Sequence, residues 1–192
     1  MGLKLLVGIF TLASTISYGQ LQEAVLAGGN FWFMDSELEN ISGFEDVIVG
    51  YSGGTIENPT LKEILKGNTG HRESVLVKYD DEKITYEELL YKFLKKIDPT
   101  DDQGQFNDRG EQYSPAIFYV EDSEKEKALN ILEKVKVDGH FSQMKVPVIQ
   151  LKNFYSAEDD QQDYYKKNEF KYKYFKFRSG RDRFLDDHWK NK

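Results

Sequence analysis

Cysteine is absent from all 192 residues. That excludes disulfide frameworks, zinc–thiolate sites and any thiol nucleophile. His71, His140 and His188 lie too far apart for close ligand spacing, and Asp101-Asp102 and Asp159-Asp160 lack the pattern of an EF-hand loop, so no metal site is expected. Beyond residue 20 no apolar run approaches the roughly 20 residues of a bilayer span, so the mature form should have no membrane-spanning helix. Repeats, low-complexity tracts and linkers rich in Pro, Gly or Ser are also missing, which leaves one domain as the simplest organisation.

The chain does have apolar mass. It is 39% hydrophobic, with 13 Phe and 12 Tyr, enough to bury a core, and 26 Lys plus Arg against 33 Asp plus Glu give a net charge of −7. At the start, Lys4, the apolar run Leu5 to Ala13 and the small residues around Ser17-Tyr18-Gly19 read as a secretory signal over 1–19, cut before Gln20. Residues 20–192 would then form a secreted or periplasmic domain, expected as a monomer.

Periodicity places the elements. Glu23 to Ala27, Asp46 to Tyr51, Ser74 to Tyr79, Ala116 to Val120 and Val146 to Leu151 read as strands, and Phe31 to Ile41 as a helix. Thr85 to Glu88 is a capping box, with Leu89, Leu90, Phe93, Leu94 and Ile97 at the spacing of a buried face. Ser123 to Glu126 should cap another helix, with Ala128, Leu129, Leu132 and Val135 inward. The order predicts a two-layer α+β fold with a split β-α-β (ferredoxin-like) core, its helices on one face of a mostly antiparallel sheet. Two stretches, Gly50 to Arg72 and Ile97 to Ser114, are too long for simple connections and read as functional loops.

From Tyr164 to Arg183 there are eight Lys or Arg against two acids, interleaved with Phe170, Tyr172, Tyr174, Phe175 and Phe177. Such interleaving suits a single-strand nucleic-acid platform, but in an exported acidic chain it reads better as a C-terminal wrap. Its rings would then cover the sheet and its lysines stay in water. No nucleic-acid partner is therefore expected.

Three glycine-bearing stretches look like one site: Gly28 to Trp32, Gly67 to Glu73 and Gly104 to Tyr113. The first ends a strand and opens a helix, where backbone N–H groups and the helix dipole stabilise an anion. Ala27-Gly-Gly-Asn-Phe-Trp32, Gly50-Tyr-Ser-Gly-Gly54, Asn58-Pro-Thr60, Thr69-Gly-His71 with Glu73, Asp98-Pro-Thr100, Asp108-Arg-Gly110, Gln112-Tyr113, Ala157-Glu158 and Ser179 to Asp182 resemble, in order and spacing, the A-type peptide methionine sulfoxide reductases.

That resemblance implies a thiol reductase for the S epimer of methionine sulfoxide, free or in proteins, using no metal or organic cofactor and regenerated by a thioredoxin-like reductant. Phe31 and Trp32 would form the pocket for the substrate methyl group. Glu73 would protonate the sulfoxide oxygen, and Asp108 and Tyr113 would bind and polarise it. At the position of the family's nucleophilic cysteine this sequence has Asn30, whose carboxamide has no thiolate or sulfenic acid state. Leu61 stands where a tyrosine is common, Asp160 and Gln161 where Tyr-His or Asp-His is frequent, and Gln112 to Ala116 lacks the arginine of the family pattern.

Taken without the resemblance, Asn30 is a good helix N-cap, Phe31 and Trp32 are core aromatics, Glu73 is a surface charge and His71 holds a loop. Two functions remain open: a non-catalytic module that binds oxidised methionine, or a purely structural exported domain. Leu61 and the loss of every cysteine weigh against Asn30 having been introduced into an active enzyme.

Overall fold

Alternation of burial along the strands decides how the layers meet. In Leu21–Ala27 (β1), Ala24 and Leu26 enter the main core, whereas Val25 and Ala27 join a smaller cluster on the opposite face with Ala116 and Phe118. The computed structural model describes residues 21–190, so the signal over 1–19 lies outside the described residues. The helix Phe31–Leu38 (α1) is followed by Phe44–Ser52 (β2), a four-residue helix Leu61–Ile64 (α2) and Arg72–Asp80 (β3). After Tyr86–Leu94 (α3) come a small hairpin, Gly104–Gln105 (β4) with Asp108–Arg109 (β5), and a 3-10 turn, Glu111–Tyr113, that leads into Ala116–Tyr119 (β6). Asp122–Val137 (α4), Val148–Gln150 (β7) and Phe154–Ser156 (β8) complete the sheet. The chain ends in Tyr164–Lys167 (α5), Glu169–Ser179 (α6), Arg181–Leu185 (α7) and a π-helical turn, Asp186–Lys190.

The six-stranded sheet runs β7-β6-β1-β3-β2-β8, antiparallel throughout except for the parallel β6/β7 edge. Its centre, β6-β1-β3-β2, is the expected split β-α-β core, with β3 inserted antiparallel between β1 and β2. The helices α1, α3 and α4 supply Phe31, Met34 and Leu38, then Leu89, Leu90, Phe93 and Leu94, then Ala128, Ile131, Leu132 and Val135 to one core against Leu26, Val49, Val75 and Val77. Thr85 caps α3 reciprocally with Glu88, as the spacing predicts. Among the described residues, no helix is long and apolar enough to cross a membrane.

Three expectations need correction. The capping box of α4 is Glu121 with Glu124, not one opened by Ser123, because Glu124 reaches back to the N–H of Glu121. On that helix Ile131 turns inward and Leu129 is half exposed; two residues on shift the side chain by about 200° around a helix. The C-terminal rings do not cover the sheet: α6 buries Tyr172, while Phe170 and Phe177 are 91% and 87% exposed. A helix of eleven residues can bury only one stripe, and here the stripe bearing Tyr172 faces α1.

These placements separate two phenylalanines. Phe93→Ala, in the core, should cost about 3–5 kcal/mol of unfolding free energy, whereas Phe170→Ala on α6 should stay within about 0.5 kcal/mol. Urea denaturation of both variants checks this, and a large loss from Phe170→Ala would place that ring inside the core.

Candidate active site

The strand β1 ends where α1 begins, and two glycines make the junction possible. A Cβ at Gly28 would lie 2.6 Å from the Met34 sulfur and 2.9 Å from Phe93, so a side chain there would push α1 off α3. Gly29 has φ +92°, a left-handed conformation in which a Cβ would also strike Gln105 at 2.6 Å. Asn30 then caps α1, its Oδ1 accepting from the Trp32 N–H at 3.0 Å. The Phe31 N–H donates to Oε2 of Glu73 at 3.0 Å. Two of the free N–H groups at the positive end of α1 are thus occupied by the chain's own oxygens.

Glu73 sits near the start of β3, paired in register with Tyr51 of β2, and is 2% exposed. Burial pushes its carboxyl up to about 8, the Phe31 N–H opposes that shift, and Asp108 adds to it. At neutral pH Glu73 is therefore mostly a protonated acid able to donate. Asp108, on β5, is half-buried and has its own carboxyl raised by burial, with partial relief from Arg181. Tyr113, at the end of the 3-10 turn, is raised well above the ordinary phenol range by burial and by Glu73 and Asp108, so it too remains a donor. Mutual influence among these three groups places them in one electrostatic neighbourhood.

The aromatic pair divides its work. The Phe31 ring is buried, 5.7 Å from Tyr51 and 6.3 Å from Trp32. Trp32 is half-buried, stacked on Tyr164 at 3.8 Å, with its indole N–H donating to Gln161 at 3.2 Å. A cavity of about 330 Å³ opens between α1, the hairpin and α6, lined by Asn30, Trp32, Phe33, Asp108, Phe175 and Arg178, among others. Phe31, Glu73 and Tyr113 are not on its lining, so of the residues expected at the site only Asn30, Trp32 and Asp108 face this cavity.

Some residues at this site escaped the sequence reading. Phe33 directly follows the Phe31-Trp32 pair but carries no motif of its own, and the aromatic run on α6 reads from composition as cover for the sheet. Gln161, noted as a departure from the family pattern, holds the indole. Arg181 is fully buried, its guanidinium over Phe33 at 5.1 Å and Phe106 at 4.7 Å, with an N–H to the Lys96 carbonyl; it braces α1 against the hairpin. His71 does hold a loop, accepting from the Gly54 N–H at 3.2 Å and bonding Ile56 through its other nitrogen at 2.8 Å. Leu61 packs against the core, while its N–H donates to Glu158, which also receives the Tyr51 hydroxyl, each at 2.8 Å.

A family model described as peptide methionine sulfoxide reductase matches residues 22–192. The peptide methionine sulfoxide reductase MsrA/MsrB of Vibrio cholerae is 48% identical over 167 residues, which cover 86% of this chain but 44% of that protein. This chain therefore spans less than half the length of that relative. MsrA 2 of Staphylococcus aureus is 43% identical over 169 residues, covering 88% of this chain and 96% of that one. Among solved structures, reduced Mxr1 of Saccharomyces cerevisiae superposes with a TM-score of 0.74 at 28% identity, covering 81% of this chain and 91% of that chain.

The raised carboxyl of Glu73 has a measurable cost. Between its ordinary value of 4.5 and about 8 the folded state binds the proton better than the unfolded state does, so this group lowers stability as pH rises through that window. Glu73→Gln cannot titrate yet keeps an acceptor for the Phe31 N–H. The drop in melting temperature from pH 5 to pH 8 should be smaller in Glu73→Gln than in the parent chain. Equal drops in scanning calorimetry would mean that Glu73 is ionised in the folded state.

Proposed function

The chain belongs to the peptide methionine sulfoxide reductase family, and on that premise we propose that it recognises methionine-S-sulfoxide in polypeptides without reducing it. Asn30 takes the place of the nucleophile at the head of α1. The observation that carries this reading is the pairing of a cysteine-free sequence with a buried carboxyl, Glu73, bonded to the N–H at the head of α1, where burial raises its pKa.

Reduction by a thiol transfers the sulfoxide oxygen to sulfur: the thiol attacks the sulfoxide sulfur, the S–O bond breaks, and methionine leaves as a sulfenic acid forms. Asn30 has no electron pair of that reactivity, since the lone pair of its amide nitrogen is delocalised into the carbonyl and its oxygen already accepts from Trp32. A thioredoxin-like reductant would find no sulfenic acid to resolve. Binding does not need the nucleophile. A sulfoxide oxygen is a strong acceptor; in this reading it reaches past the cavity lining to Glu73 and Tyr113 for its donors, while Trp32 and Phe33 on the lining supply an apolar wall for the methyl group. Export of the mature 20–192 domain is part of the same proposal and rests on the sequence of residues 1–19.

Turnover is the decisive measurement. The purified chain should reduce N-acetylmethionine-S-sulfoxide with dithiothreitol no faster than a boiled control, and Asn30→Cys should gain activity because the acid and the methyl wall are already in place. Activity in the unaltered chain would overturn the loss of catalysis. Silence in Asn30→Cys would mean that Leu61 and the loop changes have dismantled the site. Calorimetric titration with the same sulfoxide should saturate and weaken about tenfold in Trp32→Ala; a flat titration would favour a purely structural domain.

A further inference from the structure

The helix α6 exposes more aromatic surface than its own fold requires. Phe170, Tyr174 and Phe177 follow one another at four- and three-residue steps and so form one stripe; they are 91%, 56% and 87% exposed. Such a stripe in water is unfavourable, and exposed apolar patches of this kind mark places where something docks. The helix is fixed from its other side: Tyr172 bonds the Ser36 hydroxyl on α1, and Lys176 pairs with Glu37. The stripe is therefore displayed on a held support.

It also leads into the candidate site. Tyr174, Phe175, Arg178 and Ser179 of α6 line the same cavity as Asn30, Trp32 and Asp108, so a ligand leaving that cavity along α6 passes onto the stripe without a break. The helix carries four Lys or Arg against one Glu in a chain whose net charge is −7. Lys173 and Lys176 are held by Glu169 and Glu37, but among the described residues Lys171 and Arg178 have no carboxylate in salt-bridge range. Arg178 is instead poised over the Tyr174 ring at 5.6 Å, its N–H on the Tyr174 hydroxyl at 2.7 Å.

We infer that α6 is the docking surface for the polypeptide that carries the oxidised methionine, and that it selects acidic segments with apolar residues beside the sulfoxide. This deepens the proposed function and rests on it. Apolar side chains of the segment lie on Phe170, Tyr174 and Phe177, and its carboxylates meet Arg178 and Lys171. The remainder of the chain, net negative, repels the same segment elsewhere and so confines it to this helix.

Fluorescence anisotropy with three probes tests it: a dodecapeptide with one methionine-S-sulfoxide flanked by Glu and Leu, the same peptide with Lys for Glu, and a dT12 oligonucleotide; unlabelled N-acetylmethionine-S-sulfoxide is measured by calorimetry. The acidic peptide should bind at least about tenfold tighter than the lysine peptide and than the small sulfoxide. Lys171→Glu and the double variant Phe170→Ser/Phe177→Ser should each weaken the acidic peptide several-fold while leaving the small sulfoxide unchanged. These sites are on the solvent face, and circular dichroism checks that the variants fold. Equal binding of both peptides, or variants that bind the acidic peptide normally, would overturn the docking surface while leaving the pocket reading intact. Tight dT12 binding with none of the acidic peptide would overturn it in favour of nucleic acid. Failure of all sulfoxide ligands, the small one included, would bring down the proposed function and this inference with it.

Discussion

The hydrogen bond from the Phe31 N–H to Glu73 is the constraint around which the site is arranged. The strand β3 has a neighbour on each side, and near its start the Glu73 side chain points into the core with almost no access to water. A carboxyl in that position must find a donor or carry a proton, and it does both. The bond ties the central strand to the first residue of α1, which fixes where Asn30 and Trp32 stand. The same burial keeps the group neutral, because ionising it would put a second negative charge near Asp108 in a medium that cannot screen it. Geometry and charge state at the site thus have one cause.

Two acids of α1 show, beside Glu73 of β3, that a carboxyl's partners, more than its depth, decide its charge. Asp35 is buried with Oδ2 unbonded and with Asp163 and Glu39 near it, Lys166 being a weaker counterweight; burial and those acids raise it to about 7. Glu37 lies two residues on, also screened from water, yet Lys96 and Lys176 bring it down to about 2. Those lysines come from beyond the end of α3 and from α6, so Glu37 is where the C-terminal helix is fastened to the core. A buried, doubly bridged carboxylate of this kind is costly to break, since losing one lysine leaves charge behind. The fastening explains how α6 can hold a stripe of aromatics away from the core without collapsing onto it.

Much of the fold was legible because it follows local patterns. The capped helix from Tyr86, the β-branched run of β2 and the alternation in β1 and β3 each carry their own signal, and their order limits the topology to a split β-α-β core. The hairpin of β4 and β5 and the short helix α2 are hidden in the two stretches that read as loops, and the strand β8 falls where the sequence suggests no element, since two- to four-residue elements have no period to detect. Asn30 as a cap was readable from its place before an apolar run. The burial of Glu73 was not readable from its neighbours, because it depends on β1 and β2 flanking β3 and on α1 crossing its end. The direction faced by the α6 rings is hidden from the sequence for a related reason: composition reveals how many aromatics there are, while the anchoring of Tyr172 and Lys176 determines which of them see solvent.

The head of α1 offers one electrostatic environment that two different side chains can exploit. Converging N–H groups and the helix dipole stabilise a negative charge or the oxygen end of a dipole alike. A thiolate placed there would be both stabilised and reactive, whereas the Asn30 carboxamide is stabilised and inert. Asparagine is among the strongest N-caps, worth about 1 kcal/mol over alanine, so its presence secures α1 and the pocket wall that α1 carries. Helix α1 and the cavity wall it carries are therefore held in place without a thiol at residue 30. The residue on which this geometry leans most is Glu73, because its bond to the Phe31 N–H ties β3 to the head of α1.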